Sequence, residues 1–279
     1  MLLAGLFIVL AFSVSIYCFY TFRQDVPLFE VISGTPAIPD SEYRIPAVIP
    51  ATLPERIPDK TPIGKLAFVI DDAGNNLREL EPFLRFPGLL TIAVLPGLPN
   101  SAEAARLIRA AGKEVFLHQP MESLGGRNPG PSAIFSGMDE AEIRMIINRN
   151  LDEIWPVSGM NNHEGSKITG DKRIMEIILD ICRQREIVFL DSRTTADTVV
   201  PVIAANMNVR IAERDVFLDN EHDRNAIIGS LDSGLARAGQ KGGVVMIGHA
   251  STGNLAPILD EFYSQWINLG YVLSPVSGL

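Results

Sequence analysis

The stretch Leu66-Ala67-Phe68-Val69-Ile70-Asp71-Asp72 decides how this chain is read. Five apolar residues, enough for a buried strand, stop abruptly on two carboxylates. Three further segments repeat the pattern. Val115-Phe116-Leu117 runs into His118, Ile187-Val188-Phe189-Leu190 into Asp191, and Val244-Val245-Met246-Ile247-Gly248 into His249. Segments of helical periodicity separate them, so the strands should be parallel, with their C-terminal ends on one face. Folds of this kind carry their chemistry on that face. Carboxylates and imidazoles distant in sequence thereby become candidates for one metal-dependent hydrolase centre.

Outward from that stretch, strands and helices alternate from residue 64 to the end. The pattern predicts strands over 65–70, 89–95, 114–117, 187–190, 209–212, 216–218, 244–247 and 271–273. Helices are predicted over 76–84, 102–111, 139–154, 172–185, 225–238 and 255–269. The fold class that follows is α/β: a distorted (β/α) barrel of six to eight parallel strands over residues 64–279, with an open doubly wound sheet as the alternative. Residues 119–137 hold Gly125-Gly126 and Pro129-Gly130-Pro131 without periodicity. A loop of that length in a compact domain implies a function.

Before the barrel, residues 1–22 are apolar and carry no charged side chain, long enough to cross a bilayer as a helix of ~20 residues. No basic residue precedes the run, and it ends in Tyr17-Cys18-Phe19-Tyr20 rather than a small-residue cleavage site, so it reads as an uncleaved transmembrane anchor. Residues 23–63 form a Pro-rich linker whose prolines, from Pro27 to Pro62, exclude helix and central strand. A partly ordered arm is the other reading of this stretch, since Ile45, Val48, Ile49 and Leu53 are apolar. The expected localisation is membrane-anchored, with the barrel periplasmic or otherwise extracytoplasmic. Net charge is −9 with no basic run, which excludes a nucleic-acid partner. The two cysteines, Cys18 and Cys182, give no disulfide framework.

Each site candidate has an ordinary alternative. An Asp after a strand is commonly a helix N-cap, but Asp71 and Asp72 together can divide the roles of base and metal ligand. His118 is followed at four residues by Glu122. Met160-Asn161-Asn162-His163-Glu164-Gly165-Ser166 reads as a polar loop whose asparagines could be turn formers, while His163 and Glu164 add metal-competent donors. Asp191-Ser192-Arg193-Thr194-Thr195 ends another strand, and His249 is placed to act as a general acid. His222, in Asp219-Asn220-Glu221-His222-Asp223, reads as a surface residue or as a support behind the site; that run lacks the glycine and terminal Glu of an EF-hand. No Gly-x-Ser-x-Gly, Walker or His-Glu-x-x-His motif is present.

In order along the chain, these motifs resemble the polysaccharide deacetylase superfamily of metal-dependent carbohydrate esterases. The likeness is closest to its divergent branch, through Ile70-Asp71-Asp72, Leu117-His118-Gln119-Pro120-Met121-Glu122, Asn161-Asn162-His163-Glu164-Gly165-Ser166, Asp191-Ser192-Arg193-Thr194-Thr195, Asp215-Val216-Phe217-Leu218-Asp219-Asn220 and Ile247-Gly248-His249. The resemblance implies Asp71 as general base, Asp72 and His118 as metal ligands, and His249 as general acid. The superfamily's second histidine, in His-x-x-x-His, is here Glu122, so either Glu122 ligates or His163 completes the set. Zinc's preference for imidazole favours His163. The superfamily arginine that orients the base is absent, with Arg193 a possible substitute. Glu122, Asn161, Asn162, Asp191 and Arg193 are assigned to substrate binding or to support of the ligands. The expected cofactor is a divalent metal, zinc foremost. The expected activity is removal of N- or O-acetyl groups from a cell-envelope glycan, and the alternative is a non-catalytic glycan- or protein-binding module on the same barrel.

Overall fold

The computed structural model describes residues 62–279. The anchor expected over 1–22 and nearly all of the linker over 23–63 lie outside the described residues. Among the described residues no helix is long and apolar enough to cross a membrane.

Nine parallel strands form one curled sheet: β1 (Gly64–Ala73), β2 (Thr91–Val94), β3 (Glu114–Met121), β4 (Gly159–Glu164), β5 (Val188–Asp191), β6 (Ile211–Glu213), β7 (Val216–Phe217), β8 (Gly243–His249) and β9 (Tyr271–Leu273). Their order is β6-β5-β4-β3-β2-β1-β8-β7, with β9 beside the start of β1. That exceeds the six to eight strands expected. Among the described residues seven α-helices pack outside: α1 (Leu77–Arg85), α2 (Ser101–Ala110), α3 (Glu140–Ile154), α4 (Lys172–Gln184), α5 (Val200–Met207), α6 (Arg224–Lys241) and α7 (Leu255–Leu269). Sequence supplies the helix starts directly. Asp139 and Glu142 form a reciprocal capping box on α3, while Asp171 and Asp223 cap α4 and α6.

The sheet is a barrel left open between β6 and β7, yet only Arg214 and Asp215 separate these two edges. The Arg214 amide donates to Asp191 O on β5 (3.0 Å) and the Asp215 amide to Val245 O on β8 (2.9 Å). Consecutive residues thus bond to opposite rims of the opening.

Strand alternation sorts side chains into two cores. On β1, Leu66, Phe68 and Ile70 face the helices, Phe68 stacking on Trp266, while Ala67 and Val69 face the barrel interior with Phe116, Val188, Leu190, Val245 and Ile247. Continuing the inward parity two residues further reaches Asp71 on β1, His118 on β3, Ser192 past β5 and His249 on β8. Gly159, inward on β4, leaves room for Phe116: a Cβ there would fall on its ring. The interior is apolar below and polar at the C-terminal rim, which puts the site at that rim.

Several elements depart from the sequence reading, β3 among them by running on to Met121. The run 160–166, read as a loop, begins with β4, and α5 occupies residues between the predicted strands, with β6 at Ile211–Glu213 rather than 209–212.

Candidate functional site

A backbone irregularity aims Asp72. The β1–β2 register shifts between Ile70 and Ala73, and Asp72 adopts a left-handed φ of 64°. Bulges of this kind redirect a side chain, so Asp71 and its neighbour both serve the same rim. Asp72 Oδ1 stands 3.0 Å from His163 Nδ1 and 3.3 Å from His118 Nε2, and the two nitrogens are 3.1 Å apart.

That triangle fits a cation. Ligands at about 2.0–2.1 Å around a tetrahedral metal stand about 3.3–3.4 Å apart. Asp72 Oδ1 is shut off from solvent and receives no well-formed hydrogen bond, an orphan a metal would satisfy. His118 Nδ1 lies 2.8 Å from Asn161 Oδ1, which can only accept; Nδ1 therefore holds the proton and Nε2 turns its lone pair to the triangle. Asp72, His118 and His163 are the one such group among the described residues. Burial pushes Asp72 up, but the two imidazoles outweigh it and hold the carboxyl far below the usual range.

Asn161 works at both ends. While its oxygen holds His118, its nitrogen donates to Asp71 Oδ1 (2.9 Å) and Ser192 Oγ (3.2 Å). Asp71 Oδ2 is 3.7 Å from His118 Nε2. Burial raises the Asp71 pKa against the opposing pull of His118 and His249, which suits a group that must take up a proton. Across the β1–β8 pairing, His249 sits opposite Asp71. Asp219 grips it twice, Oδ1 at 3.0 Å from Nδ1 and Oδ2 accepting from the backbone amide at 2.8 Å. Burial alone would lower His249; the Asp219 carboxylate, with Asp71 and Asp72, raises it to about 9. His249 is therefore an imidazolium at neutral pH, able to give a proton. Asp71, His118, Asn162, Ser192, Phe217 and His249 are among the residues around one cavity of about 190 Å³.

The remaining expected site residues take other places. Glu122 does not reach the triangle. Its carboxylate accepts from Lys167 Nζ (2.6 Å) and Ser136 N (2.8 Å), which hold its pKa down to about 2 and tie the 122–138 loop to the barrel. β3 continues to Met121, so four extended residues carry Glu122 roughly 13 Å along the strand from His118. Asn162 ties β4 to the chain after β5, accepting from Ser192 N (2.9 Å). Asp191 is fully buried and organises its own turn, accepting from Arg193 N and Thr198 Oγ1. Arg193 pairs with Glu213 at 3.0 Å and makes no bond to Asp71; Asn161 holds that carboxylate instead.

Two residues escaped the sequence reading. Asp219 was quoted within a polar run and within one motif of the resemblance but given no role, its partner lying thirty residues on. Arg214 donates to Ser192 O (2.6 Å) and Arg193 O (2.8 Å) and lies 3.9 Å over the Phe217 ring, which stacks on His249. Neither has a signature in spacing alone.

Residues 68–279 match the family model described as divergent polysaccharide deacetylase. The chain belongs to that family. It is 28% identical over 192 residues to an uncharacterized protein of Haemophilus influenzae, covering 69% of each chain. It is 31% identical over 186 residues to the uncharacterized protein YibQ of Escherichia coli K12, covering 67% of this chain and 58% of YibQ. In fold it is similar to the uncharacterized protein ATU2773 of Agrobacterium tumefaciens C58, with a TM-score of 0.74 at 21% identity, over 78% of this chain and 90% of that one. Of the architectures weighed for the sequence, the barrel rather than the doubly wound sheet describes this member of the family.

Proposed function

We propose that this chain is a metal-dependent deacetylase, hydrolysing N- or O-acetyl groups on a cell-envelope glycan, held at the membrane by residues 1–22 with its barrel on the extracytoplasmic side. The observation that carries the reading is a buried carboxylate and an imidazolium facing one cavity beside the Asp72–His118–His163 triangle. A divalent cation there, zinc by its taste for two imidazoles and a carboxylate, would supply Lewis-acid polarisation of the acyl carbonyl and of water. Asp71, oriented by Asn161, takes the proton of the attacking water. His249, kept charged by Asp219, protonates the leaving amine or alcohol. The Ser192 and Thr194 hydroxyls line the same cavity and offer hydrogen bonds to sugar hydroxyls.

The test is acetate release by the full-length protein from chitin oligomers, acetylated xylan and peptidoglycan fragments. Asp71→Asn and His249→Ala should fold and bind zinc normally yet lose about 10²–10⁴-fold in rate. A barrel that binds glycan without cleaving it would release no acetate even as wild type.

A further inference from the structure

Among the residues around the cavity that holds Asp71 and His249, Phe217 alone carries a phenyl ring. Strand register explains how it comes there. Phe217 on β7 pairs with Ile247 on β8; Ile247 belongs to the inner apolar cluster and Phe217 packs against it. His249 lies two residues beyond Ile247, so it emerges on the same face as the diagonal neighbour of Phe217. The two rings stack with 5.8 Å between centroids and 16° between planes. The Arg214 guanidinium lies 3.9 Å over the Phe217 ring, its nitrogens bonded to Ser192 O and Arg193 O just past β5. Phe217 therefore spans the barrel opening, tied through Arg214 to one rim and stacked on His249 at the other.

Asp219 by itself does not settle where His249 points. It holds Nδ1 at 3.0 Å, while the imidazole side chain stays 35% exposed. A hydrogen bond tolerates about 30° of misalignment, which lets Nε2 swing by about 1 Å. A displacement of that size can cost about 10²-fold in rate. An acid that must reach one leaving group needs its ring plane fixed as well, and a phenyl ring lying nearly parallel to it does that. A phenyl ring in a carbohydrate site is ordinarily offered to the face of a sugar. Here a guanidinium already lies over the ring, a contact worth about 0.5–2 kcal/mol, so Arg214 both steadies Phe217 and takes up surface a sugar would need.

We infer that Phe217 is a positioning residue for the general acid, holding the His249 imidazole in the plane from which Nε2 reaches the leaving group. The inference rests on the hydrolase reading above and concerns what fixes the pose of its acid. Phe217 has no proton to give; it acts through His249.

A double-mutant cycle on zinc-loaded full-length protein tests this, because a residue acting through His249 loses its effect once His249 is gone. Phe217→Leu, which keeps apolar bulk without the ring, should lower kcat for acetate release by about tenfold or more with KM within about twofold. In the His249→Ala background the same change should cost less than about twofold. Phe217→Tyr, which keeps the ring, should stay within about threefold of wild type. An equal loss in both backgrounds would show a general packing role, and a raised KM with kcat kept would make Phe217 a sugar platform; either result overturns the inference. The metal-free protein gives a second readout that needs no turnover. Carbon-13 relaxation at His249 Cε1 should report a looser ring in Phe217→Leu than in wild type or Phe217→Tyr, and equal ring order in all three refutes the positioning role. If the wild type releases no acetate from any glycan, the hydrolase reading falls, and the relaxation data then decide by themselves whether Phe217 holds the His249 ring.

Discussion

Replacing Asp219 by Asn isolates what keeps His249 charged. The substitution preserves size but removes the charge and one acceptor. Asp219 now serves two donors, the His249 amide at 2.8 Å and Nδ1 at 3.0 Å. An amide has a single oxygen, so it can satisfy one of them and must turn an NH₂ toward the other. In the metal-free protein the His249 pKa should fall from about 9 to its ordinary ~6.5 or below, since burial then acts against the charge with less opposition. At pH 8 the protonated fraction would drop from about 0.9 to about 0.03, a loss of about 30-fold in the acid form. The sign matters. A raised histidine pKa keeps the acid competent up to about 9, so losing Asp219 moves the alkaline limb of the pH–rate profile downward and leaves the acidic limb in place. The chain has four histidines, so the ring protons can be assigned with His249→Ala and followed by NMR from pH 5 to 10. A His249 midpoint that stays within one unit of wild type would refute this account of the pair.

Asp72→Ala, His118→Ala and His163→Ala should each weaken zinc binding at least tenfold by calorimetry, whereas Glu122→Ala should leave it unchanged and instead speed proteolysis at Gly125-Gly126 by freeing the 122–138 loop. Asn161→Ala should lower zinc affinity about 10–100-fold although Asn161 is not itself a ligand, because His118 loses the bond that fixes its tautomer. Arg214→Met should destabilise the barrel by about 2 kcal/mol in urea unfolding, leaving two carbonyls unpaired at the opening. Arg214→Lys should restore it only in part, since Arg214 reaches Ser192 O and Arg193 O from two separate nitrogens of one planar group stacked on Phe217, a geometry a single Nζ does not reproduce. Gly159→Ala should cost about 1–3 kcal/mol by forcing a methyl into the Phe116 ring.

What could be read from the chain without coordinates was whatever a strand writes as an apolar run. β1, β3, β5 and β8 announce themselves, and the residues that end them, Asp71, His118 and His249, meet at the rim as the parity of a parallel sheet requires. β4 was invisible for a physical reason. Its buried asparagines satisfy themselves with hydrogen bonds rather than apolar contacts, so Gly159-Met160-Asn161-Asn162-His163-Glu164 has the composition of a turn and the conformation of a strand. α5, apolar nearly throughout and carrying Pro201 in its first turn, lacks the stripe that marks a helix. The His-x-x-x-Glu spacing left Glu122 open as an alternative ligand to His163. In an extended segment four residues is a long way, and only the continuation of β3 to Met121 reveals it. Arg214 earns its place from two edges of a sheet meeting, which no local pattern encodes.

The left-handed backbone at Asp72 also constrains what descent can do with this position. Among side-chain-bearing residues, Asn and Asp tolerate φ near 60° best, glycine adopts it freely, and β-branched residues resist it. A lineage that no longer needed this carboxylate could therefore drift from Asp72 to Asn or Gly without disturbing the barrel, but not to Val or Ile. Relatives of this chain that have lost the carboxylate should keep the bulge and record the loss in a single atom or a missing side chain. Loss of this carboxylate would then leave almost no trace in the fold, and it would be legible only in the side chain at position 72.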